Sequence, residues 1–279
     1  MPELPEVETV VRDLSCSPIM KQKIIGITLH WQKSVDAKSA DLFCQRLLQQ
    51  EFLAVTRRAK FIILTLSSGE YLLVHLRMSG KLLIIPSGEP LQEHDRIVFN
   101  LENSLELRFR DPRKFGRCYI TNDLVSFFSN YGPEPLAEEF TLSIFEERLK
   151  KRSGKIKSLL LDQQFIAGLG NIYVDESLWT ARIHPERTVN SLSEEEIKEL
   201  YHAIRKVLNC GIEHRGTSIG RAKPNFYSIQ QDYGLNQAHL AVYKRAKLPC
   251  PRCHTLIIRY VMAQRGTHIC TKCQVAPLS

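Results

Sequence analysis

At 279 residues the chain is long enough for two ordinary domains, and 43% hydrophobic composition is that of a globular protein rather than a disordered one. A formal net charge of +8 points to a polyanionic partner, nucleic acid first and an acidic membrane surface second. No apolar run approaches a membrane span and no signal-peptide pattern surrounds Met1, so a cytoplasmic protein is expected and membrane insertion is not.

The chain opens Met1-Pro2-Glu3-Leu4-Pro5-Glu6. Removal of Met1 before the small Pro2 exposes a secondary amine beside two carboxylates. An α-amino group titrates near 7.7–8.0, roughly, so part of it is an unprotonated nucleophile at neutral pH. Such an amine attacks an electron-poor carbon and leaves an iminium, and two neighbouring carboxyls can supply an acid and a base. The same residues also read as a plain helix start. Glu3, Glu6 and Glu8 would cap the helix that Val7, Val10, Val11 and Leu14 predict.

Short apolar runs follow at Ile24 to Leu29, Phe61 to Leu66, Tyr71 to Leu76, Ile97 to Leu101 and Leu105 to Phe109, and read as strands. Ser68-Gly69 and Asn103-Ser104 are turn signals between neighbours, which predicts hairpins and an antiparallel arrangement. Ser39 to Leu53 carries Leu42, Phe43, Leu47 and Leu48 at helical spacing and predicts one covering helix. Pro86 to Glu93 is a surface loop. Basic residues gather at strand ends: Arg57, Arg58 and Lys60, then His75, Arg77 and Lys81, then Arg110, Arg113, Lys114 and Arg117. With Met78, Phe109 and Phe115 interleaved, they form a surface suited to gripping phosphates and pushing side chains into a base stack.

Tyr131-Gly132-Pro133-Glu134-Pro135 ends the strand pattern and places a domain boundary near residue 132. Thr141 to Lys151 predicts a helix, and Ser193 to Glu196 is a capping box opening a longer one, with Ile197, Leu200, Tyr201, Ile204, Val207, Leu208 and Ile212 on its buried stripe. Between them, Gly168-Leu169-Gly170-Asn171 leads into a further helix. Its glycines let backbone N–H groups approach an anion, although such a turn also serves packing alone. The aperiodic stretch from Thr217 to His239 is too long for a plain connector and reads as a functional loop.

Cys250-Pro-Arg-Cys253 and Cys270-Thr-Lys-Cys273 have the spacing of a four-cysteine zinc site. Four thiolates close a tetrahedral Zn²⁺ with no open position, so one structural ion is expected. Cys16, Cys44, Cys118 and Cys210 are ordinary thiols, and His254 and His268 are bystanders. Ile257 to Met262 fits one strand of the finger and Gln264 to Thr267 its turn, with Arg265 at an exposed tip where it can clamp a phosphate.

Taken in order, Pro2-Glu3-Leu4-Pro5-Glu6, Arg58-Ala59-Lys60, His75-Leu76-Arg77-Met78-Ser79-Gly80, Asp111-Pro112-Arg113-Lys114-Phe115-Gly116, Gly170-Asn171-Ile172-Tyr173 and the four-cysteine finger resemble the formamidopyrimidine-DNA glycosylase family over nearly the whole chain. The resemblance implies an α+β multi-domain fold. It comprises an N-terminal antiparallel β-sandwich over 1–131, a helix–two-turn–helix domain with a lesion loop over 132–239, and a zinc finger over 240–279. It further implies a monomeric bacterial enzyme, nucleoid-associated through its DNA, that binds double-stranded DNA containing an oxidised base or an abasic site in a cleft between domains. Pro2 would attack C1′ of a flipped nucleotide, with Glu3 as acid/base and Glu6 in support. Lys60, His75, Asn171, Arg265 and Lys157 would hold phosphates and sugar, while Met78, Arg113 and Phe115 would fill the hole left by the everted nucleotide. Base loss followed by β- and δ-elimination would leave a one-nucleotide gap.

Two departures bear on lesion preference: Ser79 stands where some relatives have a carboxylate, and Gly220-Arg221-Ala222-Lys223-Pro224-Asn225-Phe226 and Gly234-Leu235-Asn236-Gln237 differ from familiar loops. The alternatives are the sister endonuclease VIII class, acting on oxidised pyrimidines, and a non-catalytic zinc-bearing DNA-binding protein with an inert Pro2. Leu4-Pro5 and the Arg113/Phe115 wedge favour the purine enzyme.

Overall fold

A computed structural model describes residues 1–36, 39–220, 226–229 and 231–276. The chain divides into two compact units, Met1–Ser129 with His214–Leu235, and Asn130–Glu213 with Asn236–Ser279.

The first unit begins with helix α1 (Leu4–Ser15), whose Val7, Val10, Val11 and Leu14 are all buried, as their spacing predicts. A capping box fixes its start: the Glu6 carboxylate accepts the Glu3 N–H at 2.8 Å, and Glu3 caps in return. Then come β1 (Ile24–Leu29), β2 (Val35–Asp36), α2 (Ala40–Leu47), β3 (Phe52–Arg58), β4 (Phe61–Leu66), β5 (Tyr71–His75), β6 (Lys81–Pro86), β7 (Asp95–Leu101), β8 (Leu105–Arg110), β9 (Arg117–Thr121) and the short α3 (Leu124–Phe127). They form a four-stranded sheet ordered β1-β7-β8-β6 and a five-stranded sheet ordered β2-β9-β5-β4-β3. All pairings are antiparallel except the two-residue edge contact of β2 with β9. Ile97, Phe99, Leu107 and Phe109 from one sheet and Ile62, Leu64, Leu72 and Val74 from the other merge with α1 into one core. This is the expected sandwich.

The helix predicted across Ser39 to Leu53 is shorter. Ser39 caps it, its hydroxyl accepting the Leu42 N–H at 3.0 Å, but Leu48 is extended and Gln49 has φ 67°. Phe52–Arg58 instead pairs with β4, because closing the five-stranded sheet outweighs local helical spacing. Phe109, expected among exposed wedges, is fully buried, since alternation along β8 turns it inward. Phe226 and Ile229, in the stretch read as a loop, are buried in the sandwich core. The departures at 221–225 lie outside the described residues.

The second unit contains α4 (Leu142–Lys150), α5 (Ile156–Leu161), α6 (Asn171–Thr180), α7 (Glu194–Glu213), β10 (Ile258–Met262) and β11 (Arg265–Ile269). The Phe145 ring meets Phe140, Phe165 and Tyr201, each at 6.0 Å, and ties α4 to α7. The predicted capping box of α7 is formed: Ser193 N–H donates to Glu196 Oε2 at 2.9 Å and Glu196 N–H to Ser193 Oγ at 3.2 Å. In the finger, Met262 pairs with Arg265, so the turn is Ala263-Gln264 (φ 48° and 59°) rather than Gln264 to Thr267. Arg265 is therefore the first residue of β11, exposed beside the turn.

Candidate active site and zinc centre

In the first unit, α1 starts where the core holds Leu4 and Val7, so the two residues before it are fixed as well: Pro2 is buried, Glu3 is 3% exposed and Glu6 1%. Lys60 follows Ala59 (φ 54°) in the two-residue connection of β3 to β4 and is 5% exposed. The terminal amine of the chain is held below the ordinary α-amino value. Burial is the main cause. Glu3 and Glu6 pull it upward, while Lys60 and Arg113 push it further down. Two carboxylates, two cations and a terminal nitrogen are thus gathered in one neighbourhood from three separated stretches of sequence. The carboxylates that cap α1 are also the ones that act on the terminal amine.

Glu6 has a further task. Its Oε1 accepts the Thr217 N–H at 2.7 Å, and Gly216 (φ +79°) lies so close that a Cβ there would be 2.9 Å from Glu6 Cγ. The Arg215 guanidinium reaches Asp13 at 2.8 Å, a second tie between α1 and this stretch.

His75 ends β5 and is 6% exposed, edge-on to Phe61 at 4.6 Å. Its Nδ1 accepts the Arg77 N–H at 3.0 Å, which leaves the ring proton on Nε2. Burial, reinforced by Arg77 and Lys60, pushes its pKa down to about 3, so the ring is a neutral donor at physiological pH. Met78 and Phe115 stand 42% and 47% exposed, and the Arg113 guanidinium lies 4.8 Å from the Phe115 ring centre. Asp111 builds the loop that presents them: Oδ2 accepts the Gly116 N–H at 2.7 Å, and Oδ1 accepts the Arg113 N–H at 3.2 Å and the Ser79 hydroxyl. Lys114 lies over Trp31 at 4.1 Å. Not all strand-end cations serve the surface: Arg57 pairs with Glu8 at 3.0 Å and Arg110 with Asp95 at 2.6 Å.

In the second unit, Asn171 opens α6 and donates through Nδ2 to the Gly266 carbonyl at 2.8 Å, leaving a second N–H on the same nitrogen. Lys157, on α5, is 1% exposed, and its ammonium meets Asp175 Oδ1 at 2.6 Å and Thr267 Oγ1 at 2.9 Å. Asp175 was missed by sequence reasoning, and Asp111 was read as part of a motif without a role of its own. The spacing of Asp175 four residues after Asn171, on one helix face, was the available signal.

The four finger sulfurs lie within 4.8 Å of one another, with Cys253 at 3.3 Å from Cys270 and 3.5 Å from Cys273, and Cys250 at 3.9 Å from Cys273. A tetrahedron with Zn–S bonds of about 2.3 Å has edges of about 3.8 Å, so the sulfurs fit one zinc ion and no other ligand is needed. The Thr255 hydroxyl and N–H direct themselves at Cys253 and pull it down to about 6. Glu176 accepts the N–H groups of Ala241, Val242 and Tyr243 at 2.8, 2.9 and 2.7 Å, which seats the entry to the finger on α6.

A β-sandwich with a terminal amine site, followed by a helical module and a four-thiolate finger, defines a DNA glycosylase of the helix–two-turn–helix, zinc-finger class. The family models that match are the formamidopyrimidine-DNA glycosylase N-terminal domain over residues 1–118, the formamidopyrimidine-DNA glycosylase H2TH domain over 131–223, and the zinc finger found in FPG and IleRS over 247–275. The chain is 45% identical over 274 residues to the formamidopyrimidine-DNA glycosylase of Protochlamydia amoebophila, covering 98% of this chain and 99% of the relative. It is 46% identical over 276 residues to that of Herpetosiphon aurantiacus, covering 98% and 100%. A Lactococcus lactis FPG variant in complex with Fapy-dG-containing DNA superposes with a TM-score of 0.92 at 37% identity, covering 99% of this chain and all of that one. MutM in complex with DNA containing carbocyclic 8-oxo-G gives a TM-score of 0.91 at 37% identity, with coverage of 99% and 100%. The chain belongs to the formamidopyrimidine-DNA glycosylase family.

Proposed function

We infer that this chain removes oxidised purines, 8-oxoguanine and formamidopyrimidines, from duplex DNA and then cleaves the strand at the resulting abasic site in base excision repair. The observation that carries the reading is the buried Met1 amine, one residue before the buried Pro2, under the influence of Glu3, Glu6, Lys60 and Arg113. Loss of Met1 makes Pro2 the terminus and its nitrogen a secondary amine. That nitrogen attacks C1′, the bond from C1′ to the base breaks, and the base leaves with a proton delivered at the site. The opened sugar remains as an iminium on Pro2. Glu3 serves as the acid/base for ring opening, and Glu6 holds the start of α1 and the 216–217 backbone in register. The iminium acidifies the C2′ proton; its loss expels the 3′ phosphate, and a second elimination expels the 5′ one. Water then releases the sugar fragment and restores the amine.

Lys60 and the Nε2–H of His75 hold phosphate oxygens near the amine; in the second unit, Arg265 and the second amide N–H of Asn171 hold phosphate oxygens of their own. Met78, Arg113 and Phe115 fill the stack, with Arg113 facing the orphaned cytosine, which offsets part of the few kcal/mol that flipping costs. Buried as it is, Lys157 acts on the finger hairpin rather than by open contact with DNA. Residues 1–131 carry the chemistry, while 132–239 and 240–279 carry phosphate contacts and the loop over the base. Zinc keeps the finger folded and takes no part in bond breaking. The protein works as a monomer in the bacterial cytoplasm on nucleoid DNA; among the described residues, no helix is long and apolar enough to cross a membrane.

The test is incision of a duplex with 8-oxoguanine opposite cytosine, with the intact mass of the protein measured in parallel. A one-nucleotide gap bounded by phosphates, from protein lacking Met1, is the expected result. Equal activity from protein that retains Met1 would overturn the assignment of the nucleophile.

A further inference from the structure

Asp175 lies one turn beyond Asn171 on α6, and its carboxylate is 1% exposed. Its two oxygens are divided between two elements. Oδ1 accepts from the Lys157 ammonium at 2.6 Å; Oδ2 accepts the His268 N–H at 2.9 Å and lies 3.2 Å from His268 Nδ1. The same ammonium meets Thr267 Oγ1 at 2.9 Å and the Gly266 carbonyl at 3.5 Å, and Asn171 holds that carbonyl from the other side at 2.8 Å. The Tyr243 ring closes over His268, edge-on at 5.0 Å. Gly266, Thr267 and His268 are therefore gripped one after another by α5 and α6, and the next residue back along β11 is the exposed Arg265.

An ion pair this deeply buried adds little net stability, since desolvation offsets much of the attraction; its best-attested use is to fix register. Here the register it fixes is that of β11 on α6. A one-residue slip along β11 would carry Arg265 about 3.3 Å and turn it to the opposite face. We propose that Asp175, through Lys157 and His268, is a positioning residue that holds Arg265 where its guanidinium meets the phosphate. The proposal rests on the reading of Arg265 as a phosphate ligand.

The test uses the full zinc-loaded chain and a duplex containing a tetrahydrofuran abasic analogue. Wild type, Asp175→Asn, Arg265→Ala and the double variant are compared for affinity as a function of salt, with zinc content measured alongside. Arg265→Ala should reduce the slope of log affinity against log salt by about 0.9, the share of one phosphate. Asp175→Asn should keep its zinc, weaken binding on the order of tenfold and reduce the slope by the same amount. In the Arg265→Ala background it should add less than about twofold, since two residues that act through one contact are not additive. Should Asp175→Asn fold poorly because Lys157 loses its counter-charge, Lys157→Met with Asp175→Asn removes that charge. It should recover the thermal midpoint without recovering affinity. Additive losses, or unchanged affinity in Asp175→Asn, would overturn the positioning role while leaving the Arg265 reading intact. Wild-type affinity and slope in Arg265→Ala would remove both, with excision by wild type still standing.

Discussion

Gly216→Ala is a sharp probe of how the 214–217 segment supports the amine site. Gly216 has φ +79°, and an added Cβ would sit 2.9 Å from Glu6 Cγ, 3.0 Å from Glu6 Oε1 and 3.1 Å from Glu6 Cα. An alanine in left-handed backbone costs about 1–2 kcal/mol. The contact also forces Glu6 away from the Thr217 N–H that it accepts at 2.7 Å. A buried N–H left without its acceptor costs about 1–3 kcal/mol more. The sum is about 2–5 kcal/mol, and part of it falls on the placement of Glu6 rather than on global stability. Gly88→Ala is the matched control, because Gly88 has φ +92° with nothing within 4 Å of the added Cβ. Urea unfolding and single-turnover excision on 8-oxoguanine duplex, with both variants more than 95%, roughly, folded at the assay temperature, separate the two parts. Gly88→Ala should lose about 1–2 kcal/mol and keep its rate. Gly216→Ala should lose more stability and at least about tenfold in rate, the equivalent of about 1.4 kcal/mol in the barrier. Equal rates for the two folded variants would refute the claim that Glu6 couples this segment to the amine.

Other consequences are as direct. His75 has a folded pKa near 3 against an ordinary 6.5, so the unfolded chain takes up its proton first as pH falls. Stability should therefore be flat with respect to this group above pH 6.5 and decline between 6.5 and 3, by up to about 1.4 kcal/mol per pH unit. His75→Gln should shallow that acid limb in denaturant titrations, and an unchanged limb would contradict the burial argument. Phe115→Ala removes a ring that is 47% exposed, so unfolding should shift by about 0.5 kcal/mol or less. Excision from a fully paired duplex should nonetheless drop on the order of tenfold, and much less when the lesion sits in a bulge that is already unstacked. Cys253→Ser should lower zinc content below one ion per chain and weaken duplex binding, because the β10–β11 hairpin that carries Arg265 depends on the finger; full zinc occupancy with wild-type binding would contradict the four-thiolate site.

How much of this was legible before the coordinates depends on how far apart the cooperating residues lie in sequence. The cysteine spacing, the Ser193 and Glu196 capping box, the turn residues of two hairpins and the buried stripe of α1 are local signals, and all are found as read. β3 was hidden because Leu47 and Leu48 continue a helical spacing that only the left-handed Gln49 and pairing with β4 interrupt. The finger turn was displaced by two residues because Ala263 and Gln264 adopt positive φ without the glycine or asparagine that usually marks such a turn. Gly266 fell inside the predicted turn, whereas it lies in β11 and its carbonyl is the point that Asn171 and Lys157 hold. Beyond its spacing from Asn171, Asp175 gave no local signal, for the same reason that it matters: its partners are 18 and 93 residues away. The acidic cap of α1 was legible, but its residues were read as serving either the helix or the terminus, whereas Glu3 and Glu6 cap the one and act on the other.

The central claim is that the nitrogen of Pro2 becomes covalently bonded to the sugar. Protein confirmed by mass to lack Met1 and to carry zinc would be mixed with 8-oxoguanine duplex and borohydride, alongside Pro2→Gly and a chain that retains Met1. A reduced protein–DNA adduct that maps to residue 2 in the wild type, is strongly diminished in Pro2→Gly and is absent when Met1 is retained is the predicted result. No adduct from the processed wild type, or an equal adduct when Met1 is retained, would contradict the account.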